Sequence, residues 1–348
     1  MIRLVTSFVG LALLLPGVQQ VSSQDLESPA SSPIAEHPVM VIKAETELKQ
    51  QSEVVGKAGL AQILIGRESN GSWLWIPAAK GWIRQSDVVP LDRAIEHFTS
   101  LVQQNPSSQS YYERGIARSS LGDDKDAVTD FSKAIELDSQ NLPALNDRGT
   151  AYRRLGQFPQ AKADFDRLIV KGVKHPAVYT NRGLTWLDLG NPEQAMTDLR
   201  AALELDAKFA PAWETAGAVR EAMRDYPKAI ENYSKATELD PNFAIAWNNI
   251  AWLLATAPDP GVRNGRRAVE SATKACELTG YQKLDFVDTL AAAHAEAGQF
   301  EQAVARAREV LQHVDQEHKA SIEARLKLYE AGQPWHQSDS PSKASLNP

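Results

Sequence analysis

Seven histidines and a single cysteine are the residues best suited to acid–base, nucleophilic or metal chemistry, but their spacing gives them no common site. His313 and His318 are five residues apart on a predicted helix, which places them on different faces. No phosphate-binding glycine loop, nucleophile elbow or Cys–His pairing is visible. We therefore predict no enzyme activity, no metal site and no cofactor, with Cys276 packed as a small hydrophobic residue. The histidines are His37, His97, His175, His294, His313, His318 and His336.

Three arginines recur every 34 residues, and an aspartate follows each of them after 16 residues. At the equivalent later positions both charges are absent together. The matched loss favours a ladder of structural Arg–Asp ion pairs between neighbouring helices. The alternative is a row of arginines that binds acidic peptides. The pairs are Arg114 and Asp130, Arg148 and Asp164, and Arg182 and Asp198; the later positions hold Ala216 and Asn232, Ile250 and Ser271, and Leu290 and Arg306.

The same interval organises the middle of the chain into about six repeats over residues 108–312, starting near residues 108, 142, 176, 210, 244 and 284. Each repeat has small residues at fixed positions, such as Gly149, Gly156 and Ala161, and most have a large hydrophobic residue such as Phe165. This pattern predicts two antiparallel helices per repeat, in close contact and joined by a glycine turn. Such a pair cannot bury its apolar face alone, so the repeats must stack.

Two stretches, "ALNDRGTAYRRLGQFPQAKADF" and "APAWETAGAVREAMRDYPKAIENYSKATELDPN", resemble the tetratricopeptide repeat (TPR) family. The resemblance implies a mainly α fold, a right-handed α-solenoid whose concave groove binds a peptide or protein and which has no catalysis of its own. We expect a capping half repeat at 92–107, a C-terminal capping helix at 313–333 and a disordered tail at 334–348. The fifth repeat has a longer turn, 256–267, in which we expect Asp259 to bond Arg263 or Arg266, the alternative being a docking loop.

The TPR resemblance also suggests which side chains line the groove. The family's lysine and asparagine clamp for an acidic C-terminus is not reproduced, so that ligand is not expected. Asparagine side chains in the groove could bond a peptide backbone; the alternative is that these polar residues are solvated and bind nothing. The candidates are Tyr112, Asn146, Thr150, Arg153, Thr180, Glu214, Asn248 and Trp252.

The segment before the repeats contains short β-rich runs separated by Gly, Asn and Lys, which suit a small barrel. "NGSWLWI" and "KGWIRQSDVVPL" within 38–91 resemble a bacterial SH3-like β-barrel, a class that often binds cell-wall peptides or proteins. Arg84 and Asp87 replace residues of the proline-peptide groove, so that ligand is not expected. Strand alternation places Leu74 and Ile76 in the core and leaves Trp73 and Trp75 partly exposed, with Trp82 beside them.

The N-terminus is typical of an export signal: Arg3 precedes the apolar run "LVTSFVGLALLLPGV". We predict a signal peptide at 1–23, with an uncleaved anchor as the alternative, and a flexible linker at 24–37. No transmembrane helix is expected after cleavage. The predicted location is the periplasm or cell envelope, or outside the cell.

These features together predict a non-catalytic interaction scaffold or adaptor. Its partner would be a protein or peptide, and the net charge of −7 without a basic run argues against nucleic acid. The alternative is a cell-wall (peptidoglycan) binding module that tethers or regulates an envelope enzyme through the SH3-like domain.

Overall fold

The computed structural model describes residues 37–42, 46–50, 53–58 and 62–337. The predicted signal peptide, most of the predicted linker and the residues after 337 lie outside the described part of the chain. Within that part, none of the helices combines the length and the apolar character needed to cross a bilayer. The predicted class, a mainly helical repeat array preceded by a small β region, is confirmed.

The β region consists of short antiparallel strands in two sheets. The strands are β1 His37–Val41, β2 Thr46–Gln50, β3 Glu53–Ala58, β4 Ile63–Gly66, β5 Glu68–Asn70, β6 Trp73–Ile76, β7 Gly81–Arg84 and β8 Val88–Pro90. One sheet has the order β4-β1-β8 and the other β3-β2-β7-β6-β5. Leu74 and Ile76 are buried among other aliphatic side chains, as alternation along β6 requires.

Five helices follow within the same compact unit, which ends at Val173. The first helix buries Ala94 and Phe98 against Met40 of β1 and Ala117 of the next helix, so it joins the β region to the repeats. These helices are α1 Leu91–Gln104, α2 Ser108–Ser120, α3 Asp124–Leu137, α4 Leu142–Arg154 and α5 Phe158–Val170.

The second compact unit, from Lys174 onward, contains the remaining nine helices of the described residues. Its last helix packs on the one before it and buries Ile322 and Tyr329. The helices are α6 Pro176–Asp188, α7 Pro192–Leu205, α8 Ala210–Ala222, α9 Tyr226–Leu239, α10 Ala244–Thr256, α11 Gly265–Leu278, α12 Leu284–Glu296, α13 Phe300–His313 and α14 Gln316–Glu330.

Close packing inside each repeat explains the recurring small residues. A Cβ atom on Gly217 would lie 2.5 Å from the ring of Tyr233, so the large side chain of the second helix needs a glycine opposite it. In the first three repeats and the sixth, the turn between the two helices uses the left-handed backbone conformation that glycine favours, as at Gly190 with φ 75°. In the fourth repeat Arg224 adopts this conformation with φ 60°.

Two expectations about loops are wrong. Asp259 does not bond Arg263 or Arg266: its side chain accepts from the backbone N–H of Gly261, which closes a local turn. Arg263 instead donates to the carbonyl oxygens of Ala257 and Pro258 and pairs with a carboxylate on α12. The expectation of a disordered tail at 334–348 is wrong for residues 335–337, which contact α10, α12 and α14; the rest of that tail lies outside the described residues.

Candidate peptide-binding row of the repeats

The three arginines of the early repeats are bound to the aspartates sixteen residues later. Each guanidinium donates through both Nε and Nη2 to the two carboxylate oxygens, with Nη2–Oδ1 distances of 2.6 Å. The aspartate side chains are only 1–6% exposed. These pairs join the two helices of one repeat, and their guanidinium groups are occupied. The pairs are Arg114–Asp130, Arg148–Asp164 and Arg182–Asp198.

The candidate groove residues lie at the fifth, ninth or twelfth position of the first helix of their repeats, and these spacings share one helix face with position 13. We call the residues at positions 5, 9, 12 and 13 of these helices the inner row. In the first compact unit Tyr112 donates to Oδ2 of Asp147 over 3.0 Å, and the amide of Asn146 donates to Oδ1 of the same carboxylate. Burial raises the pKa of Asp147 to about 6.

Most inner-row side chains of the first unit are therefore engaged within the protein. Asn146 is buried, and Arg153 is nearly so. Thr150 bonds the carbonyl oxygen of Asn146 one helical turn earlier. A ligand would find few free hydrogen-bonding groups here, so this part of the row is chiefly a seam between repeats.

The second unit repeats this arrangement with different residues. Asn249 donates to Oε1 of Glu214 over 3.0 Å, and the two residues are 35 positions apart, as Tyr112 and Asp147 are. Thr180 is fully buried and bonds the carbonyl oxygen of Pro176. The sequence analysis did not identify the partners of these fifth-position residues. The partner is the residue at position 6 of the next repeat, Asp147 for Tyr112 and Asn249 for Glu214. The polar side chain at that position was the signal that could have revealed it.

Glu221, at position 12 of the fourth repeat, is a further titratable member of the inner row. Its Oε2 accepts a hydrogen bond of 3.0 Å from the hydroxyl of the buried Tyr233. Burial raises the pKa of Glu221 to about 7, although the bond from Tyr233 acts in the opposite direction. The carboxyl group of Glu221 therefore stays protonated up to a higher pH than that of an exposed glutamate.

The side-chain oxygen of Asn248, at position 5 of the fifth repeat, has no hydrogen-bond partner among the described residues, although the residue is only 1% exposed. One helical turn further, Trp252 is partly exposed. Its ring lies 5.7 Å from that of Trp335, with 34° between the two planes. An unsatisfied acceptor and an aromatic ring thus lie next to each other on α10.

The aromatic side chains of the β region form a second surface. Trp75 and Trp82 pair across β6 and β7, with ring centroids 5.3 Å apart, and the guanidinium of Arg84 lies 5.3 Å from the ring centroid of Trp73. All three tryptophans are half-buried. Leu74 and Ile76 point to the opposite side. The region therefore presents an aromatic strip with a cation at one end.

The described residues contain no group of three or more His, Cys, Asp or Glu side chains arranged to hold a metal ion. Cys276 is buried in the core of the second unit, where burial raises its thiol pKa to about 11. Such a thiol is protonated and inert at neutral pH.

Three models of the tetratricopeptide repeat match the chain, at residues 108–141, 146–208 and 225–255. The helical part of the protein is a tetratricopeptide repeat array, and this class supports a protein-interaction scaffold. TPR proteins are typically non-catalytic and bind proteins or peptides. No curated protein sequence matches the chain significantly.

Solved structures share the fold at low identity. A chain of the APC/C hetero-tetramer Cut9–Hcn1 is 17% identical, with a TM-score of 0.60 over 69% of this chain and 46% of that one. A tetratricopeptide repeat protein from Parabacteroides merdae is 16% identical, with a TM-score of 0.50 over 71% and 93%. YrrB, described as a TPR protein with an unusual peptide-binding site, is 24% identical, with a TM-score of 0.38 over 56% and 97%. The alignment spans less than half of the Cut9–Hcn1 chain, and the similarity shows the fold alone.

Proposed function

We propose that this TPR array is a non-catalytic adaptor of the cell envelope that binds an extended peptide segment of a partner protein along the inner row of its later repeats. The inner row there combines the features that peptide recognition uses: an aromatic surface at Trp252 and an amide at Asn248 that can bond a main chain. The export-like N-terminus of the sequence supports the envelope location.

The observation that carries this proposal is the oxygen of Asn248. A buried acceptor without a partner costs about 1–3 kcal/mol relative to a satisfied one. A leucine or methionine would pack in its place without that cost. A polar side chain in such a position is explained if a ligand's N–H group donates to it after the side chains around it move.

Cross-linked pull-down from the native envelope tests the proposal. The comparison is between the wild-type protein and an Asn248→Ala, Trp252→Ala double variant, with Glu231→Ala on the exposed face of α9 as the matched control. We expect the double variant to lose a set of cross-linked proteins that the wild type and the control both retain. Recovery of the same proteins by all three would refute binding at the inner row.

A second candidate function rests on the aromatic strip of the β region. Half-buried tryptophans with a neighbouring cation are suited to stack on sugar rings or to contact peptides, so the strip would bind cell-wall material and tether the array to it. Co-sedimentation with purified wall material distinguishes the two functions. A wall-binding protein moves to the pellet and loses this behaviour with Trp73→Ala and Trp75→Ala, whereas a pure adaptor stays in the supernatant.

A further inference from the structure

After α14 the chain returns to the inner row. Gly332, with φ 68°, ends α14 in a left-handed turn, and the N–H of Gln333 bonds the carbonyl oxygen of Leu328. The next four residues, Pro334–Gln337, run along α14, α12 and α10. We call them the return segment.

The return segment makes three kinds of contact with the inner row. Trp335 packs its ring on Trp252, and the guanidinium of Arg325 lies 5.6 Å from the Trp335 ring centroid. Nε2 of His336 donates to Oε2 of Glu296 over 2.7 Å. The remaining contacts are made by Gln337 with Thr256 at the end of α10.

The contacts of Gln337 involve both its main chain and its side chain. Its backbone N–H donates to the carbonyl oxygen of Thr256 over 2.8 Å, and its amide donates to the Thr256 hydroxyl over 3.0 Å. A main-chain bond of this kind does not depend on which side chain the bound segment carries. It also satisfies a carbonyl group that a helix C-terminus otherwise leaves without a partner.

The residues that receive the return segment belong to one row. Trp252 and Thr256 are positions 9 and 13 of the fifth repeat, and Glu296 is position 13 of the sixth. Asp288, at position 5 of the sixth repeat, holds Arg325 through a bond of 2.8 Å. The row therefore presents the aromatic ring of Trp252, the main-chain oxygen of Thr256 and the carboxylates of Asp288 and Glu296.

The long turn of the fifth repeat helps to hold this site. Arg263 donates to Oε1 of Glu296 over 3.1 Å, which leaves Oε2 for His336. The same guanidinium bonds two carbonyl oxygens of the turn. Arg263 is thus a positioning residue, since it fixes the carboxylate that receives the imidazole.

We propose that the inner row of the fifth and sixth repeats is a binding site for an extended peptide with a tryptophan followed by hydrogen-bond-donating side chains. The return segment is an internal copy of that ligand and occupies the site in the free protein. A partner segment of the same chemistry must displace the return segment. Only peptides that bind the row more favourably than the tethered return segment can therefore occupy the site. This inference rests on the proposed function and names the ligand class and the regulation of the same row.

Competition by a tethered segment is strong. A segment joined to its site by a short linker acts at an effective concentration on the order of 1 mM. A free peptide at micromolar concentration therefore binds the wild-type protein poorly and binds well only when the return segment is weakened.

A fluorescently labelled peptide with the sequence AGQPWHQ, residues 331–337, tests this on the full-length chain. We expect the His336→Ala, Gln337→Ala variant to bind the peptide at least about tenfold more tightly than the wild-type chain, because the internal competitor is weakened. Adding Trp252→Ala to this variant should abolish binding, and the peptide AGQPAHQ should not bind. Equal and weak binding to the wild-type chain and to the variant would overturn the proposal.

The variant leaves Trp335 in place because that residue also packs with hydrophobic side chains of α13 and α14, so its removal would risk unfolding the end of the array. Arg263→Ala gives an independent arm. It should weaken peptide binding in the variant background while the far-ultraviolet circular dichroism stays unchanged, and unaltered binding would contradict its positioning role.

The outcome is separable from that of the proposed function. If the labelled peptide fails to bind but envelope proteins still depend on Asn248 and Trp252, the return segment is a structural closure and only the ligand class is wrong. If both experiments fail, the inner row does not bind peptides.

Discussion

The first three repeats and the last three join their two helices by different means. In the early repeats a two-point Arg–Asp pair spans the helices, and the aspartate side chains are 1–6% exposed. In the later repeats the arginine position holds Ala216, Ile250 or Leu290, each at most 3% exposed. The same helix packing is thus reached with a charged contact in one half and an apolar one in the other.

This difference separates structural charges from residues available for binding. A guanidinium that donates two bonds to a buried carboxylate has little capacity left for an acidic peptide. The later repeats need no such pair, and they contain the unsatisfied oxygen of Asn248 and the platform at Trp252. The arginines of the early repeats therefore stabilise the fold, and the candidate binding site lies in the later repeats, which lack them.

The largest effect is expected from breaking one pair. Arg148→Ala leaves Asp164, whose side chain is 5% exposed, without its cation, and it also removes the bond from Arg148 to Ser132. Removing one partner of a buried pair typically costs about 3 kcal/mol or more. We expect the free energy of unfolding, measured by urea denaturation with circular dichroism, to fall by about 3 kcal/mol.

The control for this prediction is Arg200→Ala, an exposed arginine on α7 whose bonds are made within its own helix. It should change the free energy of unfolding by less than about 0.5 kcal/mol. An equally small effect of Arg148→Ala would show that the early pairs are no more than surface contacts.

A pH effect is expected next, and it distinguishes the fourth repeat. Burial raises the pKa of Glu221 from the ordinary value of 4.5 to about 7. Between these values the folded state binds more protons than the unfolded state, so the stabilising contribution is complete below pH 4.5 and is lost as the pH rises through 7. The wild-type protein should lose more stability than Glu221→Gln between pH 5 and pH 8, by about 2 kcal/mol after allowance for solvent screening.

Glu221→Gln keeps an oxygen that can accept from Tyr233, so the variant isolates the charge. Chemical denaturation at the two pH values measures the difference. Equal losses of the free energy of unfolding in the wild type and the variant would mean that the pKa of Glu221 is not raised in the folded protein.

Local and periodic features of the molecule could be predicted from the sequence. The pairing of Arg148 with Asp164 was predicted from their matched spacing, and the close approach of the two helices of a repeat was predicted from the recurring small residues, as is seen at Gly217. Leu74 and Trp75 could be assigned to opposite faces because a strand alternates. Each of these rests on a short interval that recurs.

Contacts that do not recur from repeat to repeat could not be predicted from the sequence. The bond between Gln337 and Thr256 spans 81 residues and occurs once, so no recurrence could reveal it. The burial of Glu214 and Thr180 depends on how tightly neighbouring elements pack, which position within a repeat does not determine. Several groove candidates were therefore taken to be more open to a ligand than they are: Asn146, Thr180, Glu214 and Asn248 are each at most 1% exposed.

A smaller effect is expected at the turn of the fourth repeat, where Arg224 has φ 60° and the first three repeats and the sixth have glycine. The left-handed conformation costs a non-glycine residue about 1 kcal/mol. Arg224→Gly should therefore raise the free energy of unfolding by up to about 1 kcal/mol.

The reverse change is the matched control. Gly190→Ala, at the equivalent turn with φ 75°, should lower the free energy of unfolding by about 1 kcal/mol, again measured by urea denaturation. Destabilisation by Arg224→Gly would show that the contacts of the arginine side chain outweigh its backbone strain.

The smallest expected effect is the strictest test of the comparison between early and late repeats. Arg148→Ile combined with Asp164→Ser gives the second repeat the residues that the fifth has at Ile250 and Ser271, which are 3% and 7% exposed. Replacing a buried ion pair by packed apolar groups is often neutral, because the cost of removing both charges from water disappears together with their attraction. We expect the double variant to unfold within about 1 kcal/mol of the wild type, although Arg148→Ala alone is severely destabilised. A double variant as unstable as the single one would mean that the early repeats need the charged contact itself, and that the two halves of the array are not interchangeable solutions to one packing problem.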